Sequence, residues 1–224
     1  MSEILVEPKV TIVFFRDKTT DQLEQLFKLQ KVRKSPILEK WISNLLSLAE
    51  PDRSFLENLS LLAEDRIAYW NEDELKFNLI YPLMLRVNFK SPHYTVFAER
   101  PIQAIMEEDI LLTGRVDLVV ASGKYNPQKP YFFFHEYKKE RGTADDPIAQ
   151  LLSAMLVGQQ LNNDGLPVYG SYVIGRMWFF VTLKEREYCI SNAYISSKQD
   201  DLEQVFMILT AMKGIIEQRL SIVS

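Results

Sequence analysis

The chain has 224 residues, 47% of them hydrophobic and 25% charged, enough to bury a sizeable core without covalent staples. A single cysteine, Cys189, excludes an intrachain disulfide framework and a cysteine-built zinc site, and two histidines, His93 and His135, exclude a histidine-rich one. The balance of 26 basic against 30 acidic residues, net −4, excludes a histone-like coat for nucleic acid but not a nucleic-acid enzyme, whose acidic metal ligands lower the net charge.

Residues 10–15, Val-Thr-Ile-Val-Phe-Phe, predict a short strand. Thr20 or Asp21 is the expected cap of a helix carrying Leu23, Leu26 and Phe27, and Leu38, Trp41, Ile42 and Leu45 continue at helical spacing until Glu50-Pro51-Asp52 breaks the pattern. Residues 1–50 read as an accessory N-terminal segment, mostly helical, ahead of a core domain over 51–224. No secretory signal is expected at Met1–Val10, and no apolar run approaches the roughly 18 residues that span a membrane. The expectation is a soluble, intracellular, cytoplasmic protein with no membrane partner.

From Phe55 to Leu85 the pattern is helical, with Glu72-Asp73-Glu74 opening a second helix and Pro82 expected to kink or end its last turn. The period then changes. Tyr94–Met106, with Pro101 marking an edge or bulge, Leu111–Ser122 and Pro130–Lys138 predict three strands. Asp145-Asp146-Pro147 starts a helix that Asn162–Gly165 stops. Strands are predicted over Tyr169–Ile174, Met177–Leu183 and Tyr188–Ile195, then a helix over Asp200–Leu220. The order predicts an α/β fold with a central mixed sheet flanked by helices.

Two strands carry chemistry. Alternation puts Phe132, Phe134, Glu136 and Lys138 on one face of their strand, and Asp117 with Arg115 and Val119 on one face of the strand before it. Charge within apolar strands is costly unless paired or bound to metal. A short connecting loop allows an antiparallel pair with Asp117 beside Glu136, where two carboxylates repel unless a divalent cation lies between them. Such an oxygen site suits Mg²⁺, or Mn²⁺ in its place.

Glu74, Gly114-Arg115-Val116-Asp117, Glu136-Tyr137-Lys138 and Gln150, in this order of elements, resemble the PD-(D/E)XK nuclease superfamily over roughly residues 70–183. The literal motif differs at Val116, where the motif's name has proline. The resemblance implies a restriction-endonuclease-like αβββαβ core and a metal-dependent endonuclease-like phosphodiesterase acting on nucleic acid, with DNA expected ahead of RNA and the choice between them left open by the sequence. It implies Asp117, Glu136 and Glu74 as metal ligands, with the Tyr137 carbonyl as a further ligand. Lys138 would assist the attacking water, and Gln150 would position Lys138 or the phosphate. Arg115, Lys139 and Arg141, with Lys124 and Lys129, would receive phosphates at the rim. The same fold without turnover, as a binding or scaffolding subunit of a nucleic-acid-processing complex, is the alternative. A homodimer or a larger assembly is compatible with either. His135, on the opposite face from Glu136, reads as a satisfied core or interface histidine and not a base, and Cys189 as a small buried hydrophobe.

Overall fold

The computed structural model describes residues 10–43, 47–141 and 146–223; Asp145 of the expected helix start and Leu45 lie outside them. In chain order the elements begin with β1 (Thr11–Phe14), α1 (Thr20–Phe27), β2 (Gln30–Lys31) and α2 (Pro36–Ser43). Next come α3 (Glu50–Arg66), α4 (Glu72–Leu75) and α5 (Tyr81–Val87), then β3 (Thr95–Ile105), β4 (Ile110–Ser122) and β5 (Gln128–Lys138). The chain closes with α6 (Pro147–Asn162), β6 (Val168–Ile174), β7 (Met177–Lys184), β8 (Glu187–Ile190), β9 (Tyr194–Ile195) and α7 (Gln199–Val223).

The strands form one mixed sheet of nine, ordered β1-β4-β5-β6-β7-β8-β2, with β3 also paired to β4 and β9 to β7. The pairs β1–β4, β5–β6 and β2–β8 are parallel and the others antiparallel. One sheet face packs Phe133, Trp178 and Phe180 against Trp41 of α2, Leu56 of α3, Leu79 and Leu83 around α5, and Leu202 and Leu209 of α7. The other face packs Val119, Phe134, Tyr172 and Val181 against Leu151, Leu152 and Met155 of α6 and Leu23 of α1. The result is a helix–sheet–helix sandwich.

The segment before residue 50 contributes β1 and β2 to this same sheet. The reason lies in α6, which is apolar nearly all round and buried from Ala149 through Gly158 except at Gln150, so its outer side needs cover. Phe15 and α1 supply part of that cover. Asp146 fixes the arrangement: its Oδ1 accepts from the Ala149 N–H at 3.0 Å as the cap of α6, and its Oδ2 accepts from both the N–H and Oγ1 of Thr20 at 2.8 Å. Thr20 is therefore a partner of α6, and the cap of α1 is Thr19, in a reciprocal box with Gln22.

Three further expectations change. Pro82 does not end a helix; it stands in the first turn of α5, where its missing N–H has no obligatory partner, after a π-helical turn over Lys76–Ile80. The strand expected over Tyr188–Ile195 divides into β8 and β9, because Ser191 Oγ takes the Phe180 N–H at 2.9 Å in place of a continued ladder. Phe132 leaves the face of Phe134. Val120 pairs with Phe133 and Ala121 with Tyr131, so Phe132 is the extra residue of a β-bulge and turns towards Tyr94 and Arg219.

Gly158 of α6 faces β5 so closely that an added Cβ would lie 2.4 Å from the Phe134 ring. Gly158→Ala is expected to destabilise the protein by about 1–3 kcal/mol despite its better helix propensity, read as a lowered midpoint in thermal or urea unfolding.

Candidate active site

The ladder between β4 and β5 pairs Leu118 with His135, and one step further places Asp117 opposite Glu136. Beyond the bulge, Glu136 and Lys138 are in phase with Phe134, on the α6 side of the sheet. Asp117 Oδ2 accepts from the Tyr137 N–H at 3.0 Å, so the carboxylate replaces a ladder carbonyl at the end of the pairing.

Topology opens a cleft here. β3 takes one edge of β4 from Leu111 to Ala121, so β1 and β5 share the other: β1 over Ile110–Thr113 and β5 from Leu118 onwards. β1 runs parallel to β4 and β5 antiparallel, so both strands end at the segment Gly114–Asp117. A cleft of about 480 Å³ lies at this junction, lined by Phe14, Phe15, Arg16, Gly114, Arg115, Lys138 and Gln150. Gly114 is needed for close approach, since a Cβ there would stand 2.2 Å from the ring of Phe15.

Glu136 is only 2% exposed and Lys138 7%. Burial raises the Glu136 carboxyl well above the ordinary range, and the charge of Asp117 and a hydrogen bond to it add to the effect. Asp117 is also raised, by burial first, while the Tyr137 N–H, Lys138 and the bond to Glu136 pull it back. A hydrogen bond joins the two acids, so they share a proton, and the stronger upward push falls on Glu136. Glu136 Oε1 is buried without a hydrogen-bond partner among the described residues.

The sequence-selected residues divide by location. Asp117, Glu136 and Lys138 meet where β4 and β5 part, and Arg115 and Gln150 share the cleft with Lys138. Lys139 and Arg141 directly follow β5 but do not line that cleft. Lys124 and Lys129 lie at the other end of β5, about 30 Å away at 3.3 Å per residue, and do not belong to the rim. Glu74 is exposed and caps its own helix, Oε2 accepting from the Asn71 N–H at 2.8 Å while Asn71 Oδ1 accepts from the Glu74 N–H at 2.9 Å.

The carboxylate from the far strand that acts on Asp117 is Glu99, which the sequence reading did not select. Ala98 pairs with Leu118 and Arg100 with Val116, leaving Glu99 abreast of Asp117 with φ at +53° and out of the ladder. Glu99 accepts from the Tyr137 hydroxyl at 3.1 Å and pairs with Lys76 at 3.3 Å, and its carbonyl accepts from Arg115. The available signal was Pro101, which marks irregular pairing two residues away. His135 lies on the opposite face, its Nδ1 2.6 Å from Ser171 Oγ, and burial pushes its pKa down to about 3. It is a neutral core group, only half satisfied: its buried Nε2 has no hydrogen-bond partner among the described residues.

Glu74→Ala is expected to cost about 1 kcal/mol through the lost cap, checked by thermal melting. Among the described residues, no three or more His, Cys, Asp or Glu side chains are grouped to hold a metal, so any cation at this pair would draw its remaining ligands from backbone, water or substrate. No helix among them is long and apolar enough to cross a membrane. No protein-family model matches the chain, and no curated protein does.

Proposed function

We propose that the protein is a Mg²⁺-dependent phosphodiesterase of the PD-(D/E)XK kind, cutting nucleic acid at the junction of β1, β4 and β5. The observation that carries this is the hydrogen-bonded acid pair Asp117–Glu136, two residues from Lys138, which lines a cleft whose other charged lining residues among those described are Arg16 and Arg115. A fold seldom places two acids in contact within an apolar sheet without a use for them.

The donor set fits a hard divalent cation. The Tyr137 N–H favours the charged form of Asp117, and Glu136 Oε1 lacks a hydrogen-bond partner among the described residues. Asp117 and Glu136 would hold the ion, with Glu136 giving up the shared proton. Bound there, Mg²⁺ supplies polarisation of a phosphate oxygen and a lowered pKa of its water. Lys138, on the cleft wall two residues beyond Glu136, orients the attacking water and stabilises charge on the phosphate with its ammonium group. Gln150, across the same cleft, positions the phosphate by its amide, and exposed Arg115 draws the polyanion in. Glu99, itself paired with Lys76, accepts from the Tyr137 hydroxyl, which fixes the backbone whose N–H orients Asp117.

A second reading, a polynucleotide-binding subunit without turnover, draws on the deep burial of Glu136. One assay separates the two: incubation with Mg²⁺ and either supercoiled plasmid or labelled single strands of DNA and RNA. The nuclease reading expects chelator-sensitive cleavage of at least one substrate, absent in Asp117→Asn. Binding to these substrates without Mg²⁺-dependent cleavage would favour the subunit.

A further inference from the structure

The roles assigned above leave the N-terminal wall of the cleft unused. That wall is Phe14, Phe15 and Arg16, brought there because β1 ends at Gly114. Phe15 is buried against Gly114 and serves packing. Phe14 and Arg16 differ from it. Phe14 is 48% exposed although it ends a strand of the central sheet. Arg16 is exposed, and its side chain has no hydrogen-bond or ion-pair partner among the described residues. Arg115 lines the same cleft, and among the described residues that line it none carries a carboxylate. An uncommitted guanidinium offers a planar fork of donors that matches phosphate, and an exposed aromatic beside it offers a face on which any base can stack.

Resting on the nuclease reading, we infer that Arg16 and Phe14 form a nucleotide subsite for a single-stranded polynucleotide, one phosphate held between Arg16 and Arg115 and its base stacked on Phe14. Duplex nucleic acid keeps its bases within its own stack, so only a flexible strand reaches both residues at once. The segment ahead of the core thus contributes to substrate choice and not only to the cover of α6.

The test is fluorescence anisotropy of labelled oligothymidylate, oligouridylate and a DNA hairpin duplex, in EDTA so that nothing is cut, across a series of KCl concentrations. Phe14→Ala is expected to weaken single-strand binding about tenfold with the salt slope unchanged and hairpin binding nearly unaffected. Arg16→Ala is expected to lower the slope of log K against log[KCl] by about 0.7, the share of one phosphate on a single strand, while Arg16→Lys retains the slope. The two single strands distinguish DNA from RNA as the source of the nucleotide. Unaltered single-strand binding in both alanine variants, with melting curves like wild type, overturns the subsite; so does an equal loss for the hairpin in Phe14→Ala. Failure of the nuclease reading looks different: the variants weaken binding as expected, yet the wild type cuts nothing in Mg²⁺.

Discussion

Asp117→Asn is expected to abolish Mg²⁺-dependent cleavage while leaving the protein folded. Asparagine keeps the shape and an oxygen to accept the Tyr137 N–H, so the end of the β4–β5 ladder survives. What it loses is the carboxylate whose charged form the Tyr137 N–H and Lys138 favour. Lys138→Ala is expected to reduce the rate by about 10²–10³-fold, the usual cost of removing one preorganised electrostatic partner of the transition state. Metal binding should persist in that variant, since neither acid is altered. Gel assays beside Mn²⁺ titrations read both outcomes. Normal cleavage in either variant would remove that residue from the mechanism.

The second large effect is on stability against pH in EDTA. Glu136 is raised in the folded state, so above the ordinary carboxylate range the native protein binds more protons than the unfolded chain. Its contribution is therefore complete at low pH and is lost as pH rises through the raised value. His135 acts on the other side: held near 3 against an ordinary value near 6.5, it contributes above 6.5 and loses that contribution as pH falls towards 3. Glu136→Gln, which needs no proton to share a hydrogen bond with Asp117, is expected to stabilise the metal-free protein at neutral pH by about 1–3 kcal/mol. That corresponds to about 2–4 °C in Tm for each kcal/mol at this chain length. Denaturant unfolding from pH 5 to 9 checks the alkaline fall in the wild type and its flattening in the variant. A wild-type profile that rises with pH across that alkaline span would contradict the shared proton.

Elements with strong local patterns were legible. β4 and β5 announce themselves by β-branched and aromatic runs, α6 by Asp146-Pro147 and an apolar body, and α7 by its stripe. Pairings across long sequence separations were not. Nothing within residues 10–15 says that β1 lies parallel to β4, and two-residue β2 has no period to read. For the same reason, Phe14 and Arg16 could not be joined to Lys138 before the sheet was known. The bulge at Phe132 also escaped, because alternation carries no mark of one extra residue. Yet Glu136 and Lys138 lie beyond it, so their phase with Phe134 was readable. Glu74 shows the opposite failure. Asn71 followed three residues later by Glu74 spells a reciprocal cap, and the local hydrogen bonds decide the geometry of that side chain. Glu99 was hidden because a glutamate at positive φ is set by its surroundings, here Tyr137 and Lys76, and not by its own preference.

The most direct test of the central claim is calorimetric titration of Mn²⁺ into the wild type and Asp117→Asn, with short oligonucleotide present and in two buffers of different ionisation enthalpy. Binding by the wild type with release of a proton, lost in Asp117→Asn, is the result expected if Asp117 and Glu136 exchange a shared proton for a cation. No binding by the wild type, or equal binding by the variant, would contradict a metal centre at these two residues.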